Sequence, residues 1–136
     1  MERIGINLEI LNYSIENKNQ IILVLKSDMQ SYVEKNLDLK EKQNFLVITE
    51  IYESGKDFTN QIDDYSSRLI CGISKGIVFI HIKNNDSLNK LFSFAINEGK
   101  EIFAIPDSLN GLDGTNKMIK NGAKLIENAK AVLNDL

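Results

Sequence analysis

Four short apolar segments stand out along the chain, and each has the character of a β-strand. They cover residues 21–25, 45–48, 77–82 and 102–105. Each is rich in β-branched or aromatic residues, and none alternates regularly with polar residues. This pattern is typical of strands that are buried on both faces of a parallel sheet.

Between these segments, apolar residues recur at helical spacing. One stripe consists of Ile62, Tyr65, Leu69 and Ile73, and a second of Leu88, Leu91, Phe92, Ala95 and Ile96. Both stripes predict an amphipathic helix. Shorter helices are predicted around residues 8–15, in part of 27–42 and over 129–136. In the last of these, Asn128 is expected to be the N-cap, and Val132, Leu133 and Leu136 are expected to face inward.

The alternation of helices and strands predicts one α/β domain over residues 1–136. Right-handed crossovers would give a mainly parallel sheet of about four strands with helices on both faces. In such folds a ligand lies at the carboxyl ends of the strands. The loops that begin there start near Lys26, Glu50, Lys83 and Pro106.

Composition then excludes several classes of protein. The chain is 43% hydrophobic and 26% charged, which is ordinary for a globular domain. It has no apolar run of membrane-spanning length and no secretory signal pattern at its start, so we expect a cytoplasmic protein with no membrane partner. The single cysteine, Cys71, excludes an internal disulfide. A net charge of −3 disfavours a general, strongly basic nucleic-acid binder.

Residues with catalytic potential are few, and their surroundings in the sequence favour structural roles. His81 closes a predicted strand with no recognisable nucleophile motif beside it, and Cys71 lies in an apolar helix stripe. Asp63 and Asp64 are adjacent, so they would point to different sides of a helix. Neither a dinucleotide fingerprint nor a P-loop is present. We therefore expect no catalytic residues, no metal site and no cofactor.

One glycine-bearing loop follows the fourth strand, at residues 110–116, and leads into a helical segment. Glycine allows backbone amides to approach an anion, and a helix start offers unpaired N–H groups. Thr115 and Asn116 also suit a plain helix cap or a turn. Asp107 and Asp113 flank the loop and are either ligands or turn residues.

On either side of this loop, residues 101–108 and 114–126 read EIFAIPDS and GTNKMIKNGAKLI. These two segments resemble the DprA/Smf family of DNA-processing proteins, which typically has a strand ending in Val-Pro-Gly-Ser followed by Gly-Thr-Asn and Gly-Ala. The resemblance extends back through residues 68–74, Thr49-Glu50 and residues 5–7. It therefore covers nearly the whole chain, but only the C-terminal part of the family's Rossmann-like domain.

The resemblance implies a Rossmann-like fold and a non-enzymatic role. Family members bind single-stranded DNA, assist a RecA-type recombinase in transformation and recombination, and usually dimerise. The nucleic-acid or anion contacts that the resemblance and the strand-end loops suggest are Arg68, Lys83, Ser87, Thr115, Asn116 and Lys117. A solvated surface is the alternative for the lysines. We also expect a homo-oligomer, because a parallel sheet without the family's first strands would expose an edge.

Departures from the family pattern support an alternative function. Asp86 and Asp107 stand where the family has glycine, and Ser66 and Ser67 replace an Arg and an Asn. Extra acids at strand-end loops oppose the positive groove that single-stranded DNA requires. The alternative is a degenerate paralogue that oligomerises as an interaction module or binds a small nucleotide, without binding DNA.

Overall fold

The structure is a computed structural model that describes residues 6–35, 44–51, 61–82, 88–107 and 114–136. The chain divides into two compact units, Met1–Ser66 and Ser67–Leu136, with the boundary inside a helix. Each unit is described by itself. The prediction of one domain over residues 1–136 stays a prediction.

Helices and strands alternate through both units, and the strand pairs among the described residues are all parallel. The helices are α1 (Ile6–Glu16), α2 (Met29–Lys35), α3 (Ile62–Ile73), α4 (Leu88–Asn97), α5 (Gly114–Lys120) and α6 (Ala129–Asp135). The strands are β1 (Ile21–Val24), β2 (Phe45–Ile48), β3 (Gly76–Phe79), β4 (Glu101–Ala104) and β5 (Lys124–Leu125). The predicted α/β class and the four predicted strands are confirmed. The two-residue strand β5 was not predicted, because it has no apolar run of its own.

In the first unit, β1 pairs with β2 from Ile21 opposite Phe45 to Val24 opposite Ile48. The segments that follow the two strands are hydrogen bonded to each other. Thr49 Oγ1 donates to the Ser27 carbonyl at 3.1 Å. One face of this pair is open, since the cross-strand neighbours Ile22 and Leu46 are 52% and 54% exposed. Burial on both faces, which their apolar runs predicted, is therefore wrong for these two strands in the part of the chain described.

The start of α2 shows a side-chain cap. Asp28 Oδ1 accepts a hydrogen bond from the backbone N–H of Ser31 at 2.8 Å, which satisfies a donor that the first helical turn leaves unpaired. This bond holds the pKa of Asp28 below its usual value. Beside the cap, Lys26 forms an ion pair of 2.7 Å with Asp63 in the first turn of α3. The segment after β1 is thus linked to the first turn of α3 within the first unit.

The second unit contains the main apolar core, on one face of the sheet in which β4 lies between β3 and β5. Phe79 and Phe92 meet edge to face with their ring centroids 5.9 Å apart, an arrangement that aromatic pairs favour. Cys71 is buried in this core, in line with the packing role expected from the sequence, and burial raises the pKa of its thiol. The core is formed by Cys71, Ile77, Phe79, Ile82, Leu91, Phe92, Ala95, Ile102, Ala104, Met118 and Ala123.

On the opposite face, Lys124 connects three elements. Its Nζ lies 2.7 Å from Glu101 on β4 and 3.1 Å from Asp135 on α6, and 5.6 Å from the centroid of the buried Phe103 ring. The hydrogen bonds to the two carboxylates raise the pKa of Lys124. This arrangement ties the short strand β5 to β4 and to the last helix.

Helix α6 begins as predicted but does not bury the predicted face. Asn128 Oδ1 accepts from the Ala131 backbone N–H at 3.2 Å, so the N-cap is confirmed. Leu133 and Leu136, however, are 76% and 53% exposed, and the prediction that they face inward is wrong. The half-buried residues of this helix are Ala131 and Val132. Successive residues of an α-helix are rotated by about 100°, so the side chain of Leu133 points away from the side on which Val132 lies. Over the described ranges, no helix is long and apolar enough to cross a membrane.

Candidate functional site at the ends of β3 and β4

Strand β3 ends three residues earlier than the apolar pattern predicts, and the chain then turns sharply. His81 has a φ of 55°, in the left-handed region that few non-glycine residues adopt, although histidine is enriched among those that do. The turn leaves Ile82 fully buried and the His81 side chain 56% exposed. The imidazole is therefore presented at the carboxyl end of the sheet, where α/β folds bind their ligands.

Helix α5 begins in direct contact with this turn. The Gly114 N–H donates to the Ile82 carbonyl at 3.2 Å. A Cβ at residue 114 would lie 2.5 Å from the same oxygen, so a side chain has no space there. The glycine of the Gly-Thr-Asn sequence is thus required by the close approach of two backbone segments.

Asn116, two residues further on, binds the segment that follows β4. Its Nδ2 donates to the Asp107 carbonyl at 2.8 Å, and its Oδ1 accepts from the Asp107 N–H at 3.2 Å. Between Gly114 and Asn116, Thr115 is fully buried, and its Oγ1 has no hydrogen-bond partner among the described residues. We call residues 114–116 the Gly-Thr-Asn clamp, because they join the ends of β3 and β4 to the first turn of α5.

The clamp places the side chain of Asp107 beside His81. The two are 3.2 Å apart, between His81 Nδ1 and Asp107 Oδ2, and the Asp107 side chain is only 12% exposed. Sequence reasoning treated His81 as a structural strand-end residue and Asp107 as a ligand or a turn residue. It missed the pair, because no local pattern connects two residues that follow different strands. The one available signal is that both follow strands that are neighbours in a parallel sheet.

The predicted contact residues fall into three groups. Lys83 and Ser87 lie outside the described residues. Arg68 and Lys117 are exposed, on α3 and on the first turn of α5. Thr115 and Asn116 belong to the clamp, where the side chain of one is buried and the amide of the other binds backbone.

The structure therefore brings Thr115, Asn116 and Lys117 together on one helical turn beside the His81–Asp107 pair. A direct ligand contact by any of these residues stays a prediction. Within the described ranges, no group of three or more His, Cys, Asp or Glu side chains is placed to hold a metal ion.

Comparison with known proteins gives one consistent result. The family model of DNA recombination-mediator protein A matches residues 3–136. The curated DNA processing protein DprA of Streptococcus pneumoniae (strain ATCC BAA-255 / R6) is 36% identical over 69 residues, which are 49% of this chain and 24% of that protein.

The crystal structure of DNA processing protein A from Streptococcus pneumoniae superposes with a TM-score of 0.79 at 26% identity. The match covers 97% of this chain and 48% of that one, so the chain spans about half the length of the solved relative. Both the DprA/Smf resemblance and the Rossmann-like fold that it implied are confirmed. Since the family model spans all but the first two residues, the protein belongs to the DNA recombination-mediator protein A family.

Proposed function

We propose that the protein is a non-enzymatic recombination accessory protein of the cytoplasm that binds single-stranded DNA and acts with a RecA-type recombinase. The observation that carries this proposal is the family match over residues 3–136. A second support is that the Gly-Thr-Asn clamp and an exposed lysine lie at the strand ends, where α/β folds bind their ligands.

In this proposal the DNA backbone contacts the exposed cations. Lys117 extends from the first turn of α5, and Arg68 from α3. Thr115 and Asn116 contribute by fixing the backbone at the carboxyl ends of β3 and β4. Lys83 and Ser87 are further proposed contacts. Phosphate contacts of this kind carry affinity rather than sequence specificity.

Fluorescence anisotropy with a labelled oligonucleotide tests the proposal at several salt concentrations. Each lost phosphate contact should reduce the slope of log affinity against log salt by about 0.7. K117Q and R68Q are expected to weaken binding and flatten this slope. K130Q is the matched control, because Lys130 is an exposed lysine on α6 and is not among the proposed contacts. The proposal is refuted if the wild type does not bind the oligonucleotide at low salt and tens of micromolar protein, which is about the weak end of non-specific affinity.

A second candidate function is favoured by Asp107, whose carboxylate occupies this same edge and opposes a phosphate backbone. The protein would then be an interaction module or a small-nucleotide binder that does not bind DNA. In that case the wild type shows no oligonucleotide binding, and the charge reversal D107K creates it. Tight DNA binding by the wild type excludes this second function.

We also propose that the protein forms a homodimer or a higher oligomer. Helix α6 supports this, because Leu133 and Leu136 are 76% and 53% exposed and lie one turn apart. Sedimentation velocity at high concentration should show a species larger than a monomer. L133K should reduce its population without loss of fold, because that side chain makes little contact within the chain. A wild type that remains monomeric contradicts this proposal.

A further inference from the structure

The His81–Asp107 pair is oriented with its basic partner toward solvent. The His81 side chain is 56% exposed, whereas the carboxylate that it contacts is 12% exposed. The backbone of Asp107 is held at both its N–H and its carbonyl by Asn116, so the carboxylate is attached to a fixed segment. The pair therefore presents an imidazole to a ligand and keeps the carboxylate behind it.

The chemistry of the two groups determines what the exposed nitrogen can bind. An ionised carboxylate only accepts hydrogen bonds, so the 3.2 Å approach of Asp107 Oδ2 favours the form of the ring that has its hydrogen on Nδ1. In the neutral ring, Nε2 is then a bare acceptor, which a phosphate oxygen does not approach. Protonation converts Nε2 into a charged donor that points away from Asp107. Histidine is the side chain that undergoes this change between about pH 5 and pH 8.

The backbone supports a role at this position. A φ of 55° at a non-glycine residue is uncommon, and such outliers cluster at ligand-binding sites. Among the described residues, Asp107 is the charged group in ion-pair contact with His81. On the elements hydrogen bonded to this turn, the other charged side chains are Glu101, at the opposite end of β4, and Lys117 and Lys120 on α5.

We propose that His81 is a phosphate-contacting residue of this edge, that Asp107 is its positioning residue, and that the contact forms only when the imidazole is protonated. The proposal rests on the proposed function in taking the DNA backbone as the ligand. It goes further in making DNA affinity depend on pH through a single side chain. His81 is the only histidine of the chain, so no other imidazole contributes to such a dependence.

Anisotropy titrations at about pH 6 and about pH 8, at one fixed low salt concentration, test the proposal. The wild type should bind a labelled oligonucleotide about three- to tenfold more tightly at the lower pH, as expected for one charged contact. H81N should abolish this ratio, and asparagine tolerates the left-handed backbone. H81K should bind with little pH dependence, at an affinity no lower than that of the wild type at about pH 8. Lysine is accommodated at the same φ elsewhere in the chain, at Lys18.

The positioning role of Asp107 has its own measurement. D107N keeps the backbone groups that Asn116 binds and removes the charge that fixes the imidazole. It should tighten binding at about pH 8, because an acid is lost from the edge, and should reduce the ratio between the two pH values. If Asp107 has only a structural role, D107N keeps the wild-type ratio, and that result would refute the positioning role.

Failure of this inference can be distinguished from failure of the proposed function. If the wild type binds DNA and its pH ratio equals that of H81N, the inference is wrong and the proposed function stands. If the wild type binds no DNA, the proposed function is wrong, and the inference is decided by NMR with inorganic pyrophosphate. The single histidine gives one set of ring signals. A saturable shift at about pH 6 that is absent at about pH 8 supports the contact, and unmoved signals at both pH values overturn it.

Discussion

Replacement of Gly114 by alanine is the most direct test of the Gly-Thr-Asn clamp. The added Cβ would lie 2.5 Å from the Ile82 carbonyl oxygen and 2.9 Å from the Ile82 Cγ2. The obstruction includes backbone, so a change of side-chain rotamer cannot relieve it. To reach an ordinary contact of 3.4 Å, the oxygen and the new carbon must separate by 3.4 − 2.5, or about 0.9 Å.

The cost of this separation can be estimated from the groups that it disturbs. Overpacking of this size typically destabilises by about 1–3 kcal/mol. The Gly114 N–H bond to Ile82, already 3.2 Å long, would be stretched, which costs about another 1 kcal/mol. Alanine restores at most about 1 kcal/mol through its helix propensity. We therefore expect G114A to lower the free energy of unfolding by about 1–3 kcal/mol.

Urea unfolding followed by far-UV circular dichroism measures this effect, and the chain provides a matched control. Gly72 is exposed within α3, and a Cβ there would meet nothing within 4 Å. G72A should therefore stabilise the protein by about 0.5–1 kcal/mol. If G114A and G72A change stability in the same direction and by similar amounts, the close-approach explanation of the clamp is refuted.

Three further predictions concern single side chains. N116A should lower the free energy of unfolding by about 1–2 kcal/mol, because the N–H and carbonyl of Asp107 both lose a partner; thermal unfolding as stable as that of the wild type would contradict this. T115V should leave stability unchanged or raised, since it removes a buried hydroxyl that has no partner among the described residues; a loss above about 1 kcal/mol in urea unfolding would show that the hydroxyl is bonded. K124M should lower Tm at neutral pH. Hydrogen bonds raise the pKa of Lys124 above 10.5, so its contribution is complete below that pH and is lost as pH rises through the higher folded-state value. The Tm difference between K124M and the wild type should therefore shrink in strongly alkaline buffer, and a constant difference would refute the assignment.

The sequence predicted the elements better than their ends. Phe45–Ile48 was predicted to the residue, because a compact apolar run bounded by polar residues marks a strand well. The end of β3 was placed too late, because residues 80–82 are as apolar as the strand before them although the backbone turns at His81. Strand β5 was missed because it is held by pairing with β4 rather than by its own pattern.

For the candidate site, the sequence identified the segments but not the contacts within them. Thr115 and Asn116 were singled out by the glycine-bearing loop and by the family resemblance. Their suggested role was contact with an anion, whereas the structure shows one buried and the other bound to backbone. Local sequence cannot distinguish a cap, a clamp and an anion contact, because all three use the same side-chain types at the same helix position.

What the sequence by itself determined is therefore the order of helices and strands, the parallel α/β class and the family resemblance. These depend on periodicity and short motifs, which are local properties of the chain. Only the tertiary structure decided that His81 and Asp107 form a pair, that Gly114 must lack a side chain and that Leu133 is exposed. Each of these depends on distances between segments remote in sequence, which are set by the packing of β3, β4 and the helices around them.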